Sequence, residues 1–393
     1  MHKLKIWCLL RDQYAHVKPV EQAMCDRAVF LYDAVWNARA MLDQLPDLVL
    51  CVNDFHYEVA ECLAAAREAR IPSLVLQDGI LEWRCQYENP LFGEGGAAPQ
   101  HQPVMADKIA CIGRQSALHI AAWGNAGKAE VTGMPRLDAL LDRPRTAPRS
   151  PAGRLLVMTA KKPGFTPGQT AITLRSLADL KSYLDSVDGL EVVWRTRPEV
   201  AAALGVENRL EEFSTLDLCD VLDRVDAVVT TLSTAMLEAM LMERPVAVLD
   251  YHNVPRFAQS AWNITAPAQI PAVLAELLQP PARKMLFQRI CLQDSLREGP
   301  AASRVAALID RMVEGLPPKP SEATSPSAPQ PSLGDLYPRQ EVFACMDVPE
   351  LQARLARSCR RIQDLERERQ SRSFRNGIVA LGRGLWGRFK RAA

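Results

Sequence analysis

The chain has 393 residues, of which 48% are hydrophobic and 24% charged, with a formal net charge of +1. This is ordinary globular composition, so a wholly disordered chain and a collagen-like repeat are excluded. The balanced charge excludes a chain that binds polyanions along its whole length. No apolar run approaches the roughly 18–20 residues of a membrane span. The ten cysteines are scattered with no Cys-x-x-Cys pair, as expected for reduced core thiols in a cytoplasm.

In chain order, the first apolar run is KIWCLL (5–10), read as an opening strand because it is too short for a signal-peptide core. DLVLCV (47–52) follows and ends in Asn53, Asp54 and His56. SLVLQ (73–77) runs into Asp78, Gly79 and Glu82. KIACI (108–112) and AEVT (129–132) complete a first series, and the last leads into GMPRLDALL. The segment 146–153 has turn composition. A second series then begins: RLLVMT (154–159), EVVWR (191–195), AVVTT (227–231) and PVAVLD (245–250). Near-continuous apolar strands separated by helical stretches predict parallel sheets covered on both faces. The expected fold class is α/β, with two doubly wound Rossmann-like domains facing a cleft. They are placed at 1–145 and 150–315.

In such sheets ligands bind at the carboxyl ends of the strands. Strand 227–231 ends in Thr230, Thr231, Ser233 and Thr234, ahead of a helix expected to start near Ser233 or Thr234. Free amides and hydroxyls there suit a phosphate. Glu238, four residues after Thr234, could accept two ribose hydroxyls. It is the lone charge in the apolar helix AMLEAML, a costly placement without a partner. Strand 154–159 runs into Lys161 and Lys162, and strand 191–195 into Arg195 and Arg197. These cations would neutralise a diphosphate. Asp78 and Asp54 are the carboxylate candidates for acid–base work in the first domain, Asp78 foremost. No metal site is read: Asp217, Asp220 and Asp223 are spaced three apart as on a solvated helix face.

Beyond the body, 316–337 is a Pro-rich linker of extended character. Leu351, Leu355, Ile362 and Leu365 give a short heptad signal, hence possible self-association through 351–365. From Glu350 onward the chain carries a net charge of +8, which leaves −7 for the rest. Phe374, Ile378, Leu381, Leu385 and Phe389 recur on one helical face beside Trp386, among five basic residues. That pattern predicts a basic amphipathic helix on an anionic membrane surface. No nucleic-acid-binding module is present.

Three segments carry a resemblance. TTLSTAMLEAM (230–240) resembles the nucleotide-sugar site of GT-B glycosyltransferases. The branch is the one shared by capsule and surface-polysaccharide transferases, CDP-glycerol glycerophosphotransferases and non-hydrolysing UDP-N-acetylglucosamine 2-epimerases. VTGMPRLDALL (131–141) is similar to the Gly-x-Pro-Arg-x-Asp junction that ends the N-terminal domain in that group. RIPSLVLQDGILEWR (70–84) looks like the segment where relatives carry Gln-His-Gly. Asp78 here replaces that histidine, and Arg197 stands where many relatives have His before Pro198.

The resemblance implies a donor nucleotide-sugar held by the second domain, with phosphate at Thr231, Ser233 and Thr234 and ribose at Glu238. The acceptor would sit on the first domain. The expected activity is transfer of a sugar to a lipid-linked or polysaccharide acceptor, without metal or cofactor, at the cytoplasmic face of a membrane. The alternatives are a nucleotide-sugar 2-epimerase and a non-catalytic, membrane-recruited protein on a degenerate GT-B fold.

Overall fold

A computed structural model describes residues 3–10, 13–33, 36–92, 98–141, 153–206 and 218–314. The Pro-rich segment, the heptad stretch, the membrane-helix residues Phe374 to Phe389 and Asp217 lie outside the described residues. Where described, residues 3–90 and 99–314 form one compact unit, and Leu91, Phe92 and Ala98 belong to a second. Both sheets lie in the first unit.

The first sheet contains β1 (Leu4–Leu9), β2 (Ala28–Asp33), β3 (Leu48–Cys51), β4 (Ser73–Leu76), β5 (Lys108–Cys111) and β6 (Ala129–Val131). Its spatial order is β2-β1-β3-β4-β5-β6. The second contains β7 (Arg154–Met158), β8 (Glu191–Arg195), β9 (Ala227–Thr230), β10 (Val246–Leu249) and β11 (Trp262–Ile264), in the order β11-β10-β9-β7-β8. Every pairing is parallel. The strand order reverses between β1 and β3 in one sheet and between β7 and β9 in the other, so each sheet is doubly wound with a crevice at that point.

Two strands are additions to the expected runs. β2 is an edge strand whose Val29 and Tyr32 face solvent, and the apolar sequence that follows hides its end. β11 is only three residues long and is recruited by pairing with β10.

Local sequence explains the helices that set the cleft. Thr166 caps the helix Pro167–Leu184, accepting the Gln169 amide at 3.2 Å, with Pro167 at its first position. The helix Pro198–Leu204 also opens on proline. It closes on Gly205, whose φ of +65° is the left-handed cap that glycine adopts without strain.

Apolar clusters cover both faces of each sheet. One joins Met134, Leu137 and Leu140 from the end of the first series to Met236, Leu237 and Met240 beside β9. Each fully buried side chain of this size contributes about 1.5–3 kcal/mol. The helix Ala301–Glu314, inside the range read as the second domain, returns to the first sheet and buries Val305, Leu308 and Ile309 against Ile6, Val17 and Leu50. Asp138 anchors this return: its carboxylate accepts the amides of Ala301 and Ala302 at 2.9 and 2.8 Å. Among the described residues no helix is long and apolar enough to cross a membrane.

Candidate nucleotide-sugar site

The crevice of the second sheet lies between the carboxyl ends of β7 and β9. The β9 end is followed by Leu232, Ser233 and Thr234, and then by a helix that runs Ala235–Leu241 with Thr234 as its cap residue. That helix is two turns long, so its dipole is short and side chains must supply most of any anion binding.

The hydroxyls divide into two groups. Thr230 is fully buried and donates to the Thr231 carbonyl at 2.8 Å, so it serves the chain rather than the crevice. Thr231 accepts the Ala160 amide at 2.7 Å and ties the β9 end to the loop after β7. Thr234 accepts the Ile80 amide at 3.1 Å, across from the first domain. Accepting leaves the protons of these last two hydroxyls available to donate. The hydroxyl oxygens of Ser233 and Thr159 are buried with no hydrogen-bond partner in the protein. The sequence places Thr159 at this strand end beside Lys161, but its hydroxyl was not assigned to the site.

The basic residues also divide. Lys161 and Lys162 leave the β7 end at the crevice, and both are exposed. Lys161 lies in electrostatic range of Asp78, and Lys162 in range of Cys85. Arg195 and Arg197 end β8, the edge strand on the far side of β7 from β9. At about 4.8 Å per strand they stand roughly two strands away from the Ser233 loop. Arg197 faces its own neighbour Glu199 at 3.6 Å. The structure therefore brings Lys161 and Lys162 to the crevice and does not bring Arg195 and Arg197 to its β9 side.

Glu238 is 7% exposed and sits among Met236, Leu237, Ala239 and Met240. Its charge is met by Arg136 of the Gly-x-Pro-Arg-x-Asp junction, whose Nη1 lies 2.7 Å from Oε1. This ion pair joins the two domains, and the sequence did not announce it.

The first domain closes on the same place. Gly79 is so near Thr234 that an added Cβ would stand 2.3 Å from its Oγ1. Asp78, one residue earlier, is open to solvent at the floor of the cleft. The surrounding protein strips part of its hydration and pushes its carboxyl up, against the charges of His101, Arg136 and Lys161. A raised carboxyl near cations is a competent proton acceptor.

Asp54 is placed differently. It is 1% exposed, its Oδ2 accepts the Met105 amide at 2.8 Å, and its Oδ1 is 3.3 Å from Nδ1 of His101, itself 4% exposed. Burial would raise this carboxyl, but the His101 charge and the hydrogen bonds outweigh it and hold the group below its ordinary value. With no open face, Asp54 can act on a reaction only through His101. His101 itself, at a φ of +60°, was missed by sequence reading: no local signal ties residue 101 to residue 54.

Farther along the cleft, Arg84 pairs with Glu82, and burial pushes the Glu82 carboxyl up. Gln169 Nε2 donates to Glu88 at 3.0 Å, and Phe257 from the loop after β10 packs against His119, Trp123 and Trp83. Among the described residues no cluster of three His, Cys, Asp or Glu could hold a metal ion.

No protein-family model matches the chain, and no curated protein matches it. Solved structures do. A co-structure of S. aureus MnaA with UDP is similar at a TM-score of 0.56 and 14% identity, over 82% of this chain and 99% of that one. The UDP-GlcNAc 2-epimerase of Methanocaldococcus jannaschii, solved with UDP-GlcNAc and UDP, gives 0.52 at 10% identity, over 79% and 99%. A variant of the wall teichoic acid polymerase TagF gives 0.53 at 13% identity, over 79% and 89%. At such identities the likeness is one of fold: the chain has the GT-B architecture of two Rossmann-like domains facing a cleft.

Proposed function

We propose that the chain is a glycosyltransferase that takes its sugar from a nucleoside-diphosphate donor. The observation that carries this reading is the buried Glu238 beside the β7–β9 crevice, with Lys161 and the partnerless Thr159 and Ser233 hydroxyls at the strand ends. Glu238 accepts the ribose hydroxyls. Ser233, Thr159, Thr231 and Thr234 donate to phosphate oxygens, and Lys161 and Lys162 offset the diphosphate charge without a metal ion. Asp78 takes the proton of the acceptor hydroxyl as its oxygen attacks the anomeric carbon. The bond from that carbon to the diphosphate breaks, and the nucleoside diphosphate leaves with its electron pair. The acceptor is a lipid-linked or polysaccharide surface glycan. The basic residues after Glu350, with Phe374, Ile378, Leu381, Leu385, Trp386 and Phe389, keep the enzyme peripheral at the cytoplasmic membrane face.

A thermal-shift panel of UDP, CDP, GDP and their sugar conjugates tests this reading, wild type beside Glu238→Ala. A ligand at a hundred times its dissociation constant stabilises by about 2.7 kcal/mol. One nucleotide should shift the wild type and not the variant. A shift of equal size in both would remove Glu238 from the site.

The pairing of Asp54 with His101, in range of Asp78, favours a second reading: acid–base chemistry on the donor sugar itself, as in a nucleotide-sugar 2-epimerase. That reaction needs no acceptor. NMR of the bound nucleotide-sugar incubated with the protein alone separates the two.

A further inference from the structure

The ion pair between Arg136 and Glu238 raises a question for the proposed site. Glu238 cannot offer its full accepting capacity to a ribose while the Arg136 guanidinium holds Oε1 at 2.7 Å. Nor can Arg136 retreat into solvent by moving its backbone, because that backbone is fixed at both ends. Gly133 has a φ of +90°, and a Cβ there would stand 2.5 Å from the Arg297 carbonyl, so only glycine fits. Pro135 opens the tight turn Pro135–Leu137. Asp138 is held by the Ala301 and Ala302 amides. The side chain alone is left to move.

Its surroundings say where it moves. Arg136 lies in electrostatic range of Asp78, and Asp78 precedes Gly79, which touches Thr234. The guanidinium thus holds the Glu238 carboxylate while lying in electrostatic range of the loop that touches the start of the same helix. Thr234 and Glu238 are four residues apart, about 6 Å along a helix, which is within the sweep of an arginine side chain. In a nucleoside diphosphate only C5′ and its oxygen separate the ribose ring from the first phosphorus. A ribose arriving at Glu238 thus brings a dianion to the place the displaced guanidinium can reach. The planar guanidinium fits phosphate oxygens bidentately, as it fits a carboxylate.

We propose that Arg136 serves two anions in turn: Glu238 while the site is empty, and the diphosphate of the donor once the ribose has taken Glu238. This rests on the nucleotide-sugar reading of the site. The exchange keeps Glu238 from standing buried and unpaired without ligand, and it links donor binding to the contact between the domains. It also makes the site selective. A nucleoside alone must displace Arg136 and offers it nothing in return, whereas a nucleoside diphosphate replaces the lost partner.

Calorimetric titration of the full chain tests this with three probes: whichever of UDP, CDP or GDP binds best, its nucleoside, and inorganic pyrophosphate. In Arg136→Gln the diphosphate should bind at least tenfold more weakly, while the nucleoside binds as well as to wild type or better. Equal losses for both probes would mean that Arg136 merely holds Glu238 in place, and unchanged affinities would remove it from the site; either overturns the proposal. Glu238→Gln gives an arm that does not depend on nucleotide binding or on the folding of the first variant. Releasing Arg136 should strengthen pyrophosphate binding several-fold over wild type, and no gain would overturn the exchange. If no nucleotide binds the wild type while pyrophosphate still gains in Glu238→Gln, the nucleotide-sugar reading falls and the mobile guanidinium stands.

Discussion

The two strand-end surfaces that meet at the cleft are built on opposite principles. On the first-sheet side the charged groups face partners, Asp54 with His101 and the Met105 amide and Arg84 with Glu82, and Gln77 donates to the Gly79 carbonyl and Ser116, although Arg84 Nη1 and Gln86 Nε2 are also buried without a hydrogen-bond partner. On the second-sheet side Ser233 and Thr159 keep hydroxyls without partners, and Lys161 and Lys162 are exposed. The first surface is braced so that one group, Asp78, is held at the floor of the cleft. The second keeps donors without partners, as the proposed diphosphate site requires. The proposed transfer needs both, because a base must be positioned before the reaction while a leaving group must be met as its charge develops.

The largest effect that would break this comparison is Asp54→Ala. It leaves a buried imidazole and the Met105 amide without their acceptor, and leaving a buried polar group unsatisfied costs about 1–3 kcal/mol for each. Urea denaturation should show a loss of that order. Because the Asp54 carboxyl is held below its ordinary value, wild-type stability from this pair is present above the unfolded pKa and fades as pH falls through the folded one. On the receptive side, Ser233→Ala should change stability by no more than about 0.5 kcal/mol, since its hydroxyl has no partner to lose, yet weaken nucleotide binding. Comparable losses of stability for the two variants would erase the distinction.

Gly79→Ala probes the seam where the two surfaces touch. The new methyl would stand 2.3 Å from the Thr234 hydroxyl, so the loop after β4 or the start of the Ala235–Leu241 helix must shift. Overpacking of this kind costs about 1–3 kcal/mol. Donor affinity should fall with stability, and Thr234→Ala in the same chain should recover most of the stability. Failure of that rescue would mean that the cost does not come from the contact with the Thr234 hydroxyl.

The receptive side was the more legible in sequence. A β-branched run ending in Thr-Thr-x-Ser-Thr, then a carboxylate in an apolar helix, is a local pattern, and local patterns survive in one dimension. The braced side was not: His101 is 47 residues from Asp54, and Arg136 is 102 residues from Glu238, so neither pairing leaves a spacing signal. The placement of Arg195 and Arg197 relative to the β9 end was not legible for the same reason. Strand ends can be found locally, but whether β8 lies beside β9 is decided by sheet order. Edge strand β2 was hidden for a related reason, since its solvent-facing Val29 and Tyr32 give it no clean alternation.

Asp78→Asn should have the smallest effect on stability, and its sign is the informative part. Desolvation raises the Asp78 carboxyl above its ordinary value of 3.8, so folding disfavours the charged form. Below the unfolded pKa both states are protonated and nothing is lost. As pH rises the destabilisation grows, and above the folded pKa it is constant. Asparagine cannot ionise, so the variant should be slightly more stable than wild type at neutral pH and indistinguishable from it near pH 3. With Asp78 in its proposed role, turnover should move the other way, with kcat lowered and KM for the donor little changed, because a base meets the acceptor and not the nucleotide. A base is thus expected to trade stability for activity at this residue. A difference in stability that stayed flat with pH would show Asp78 to be fully hydrated, and the base would then have to be sought at His101.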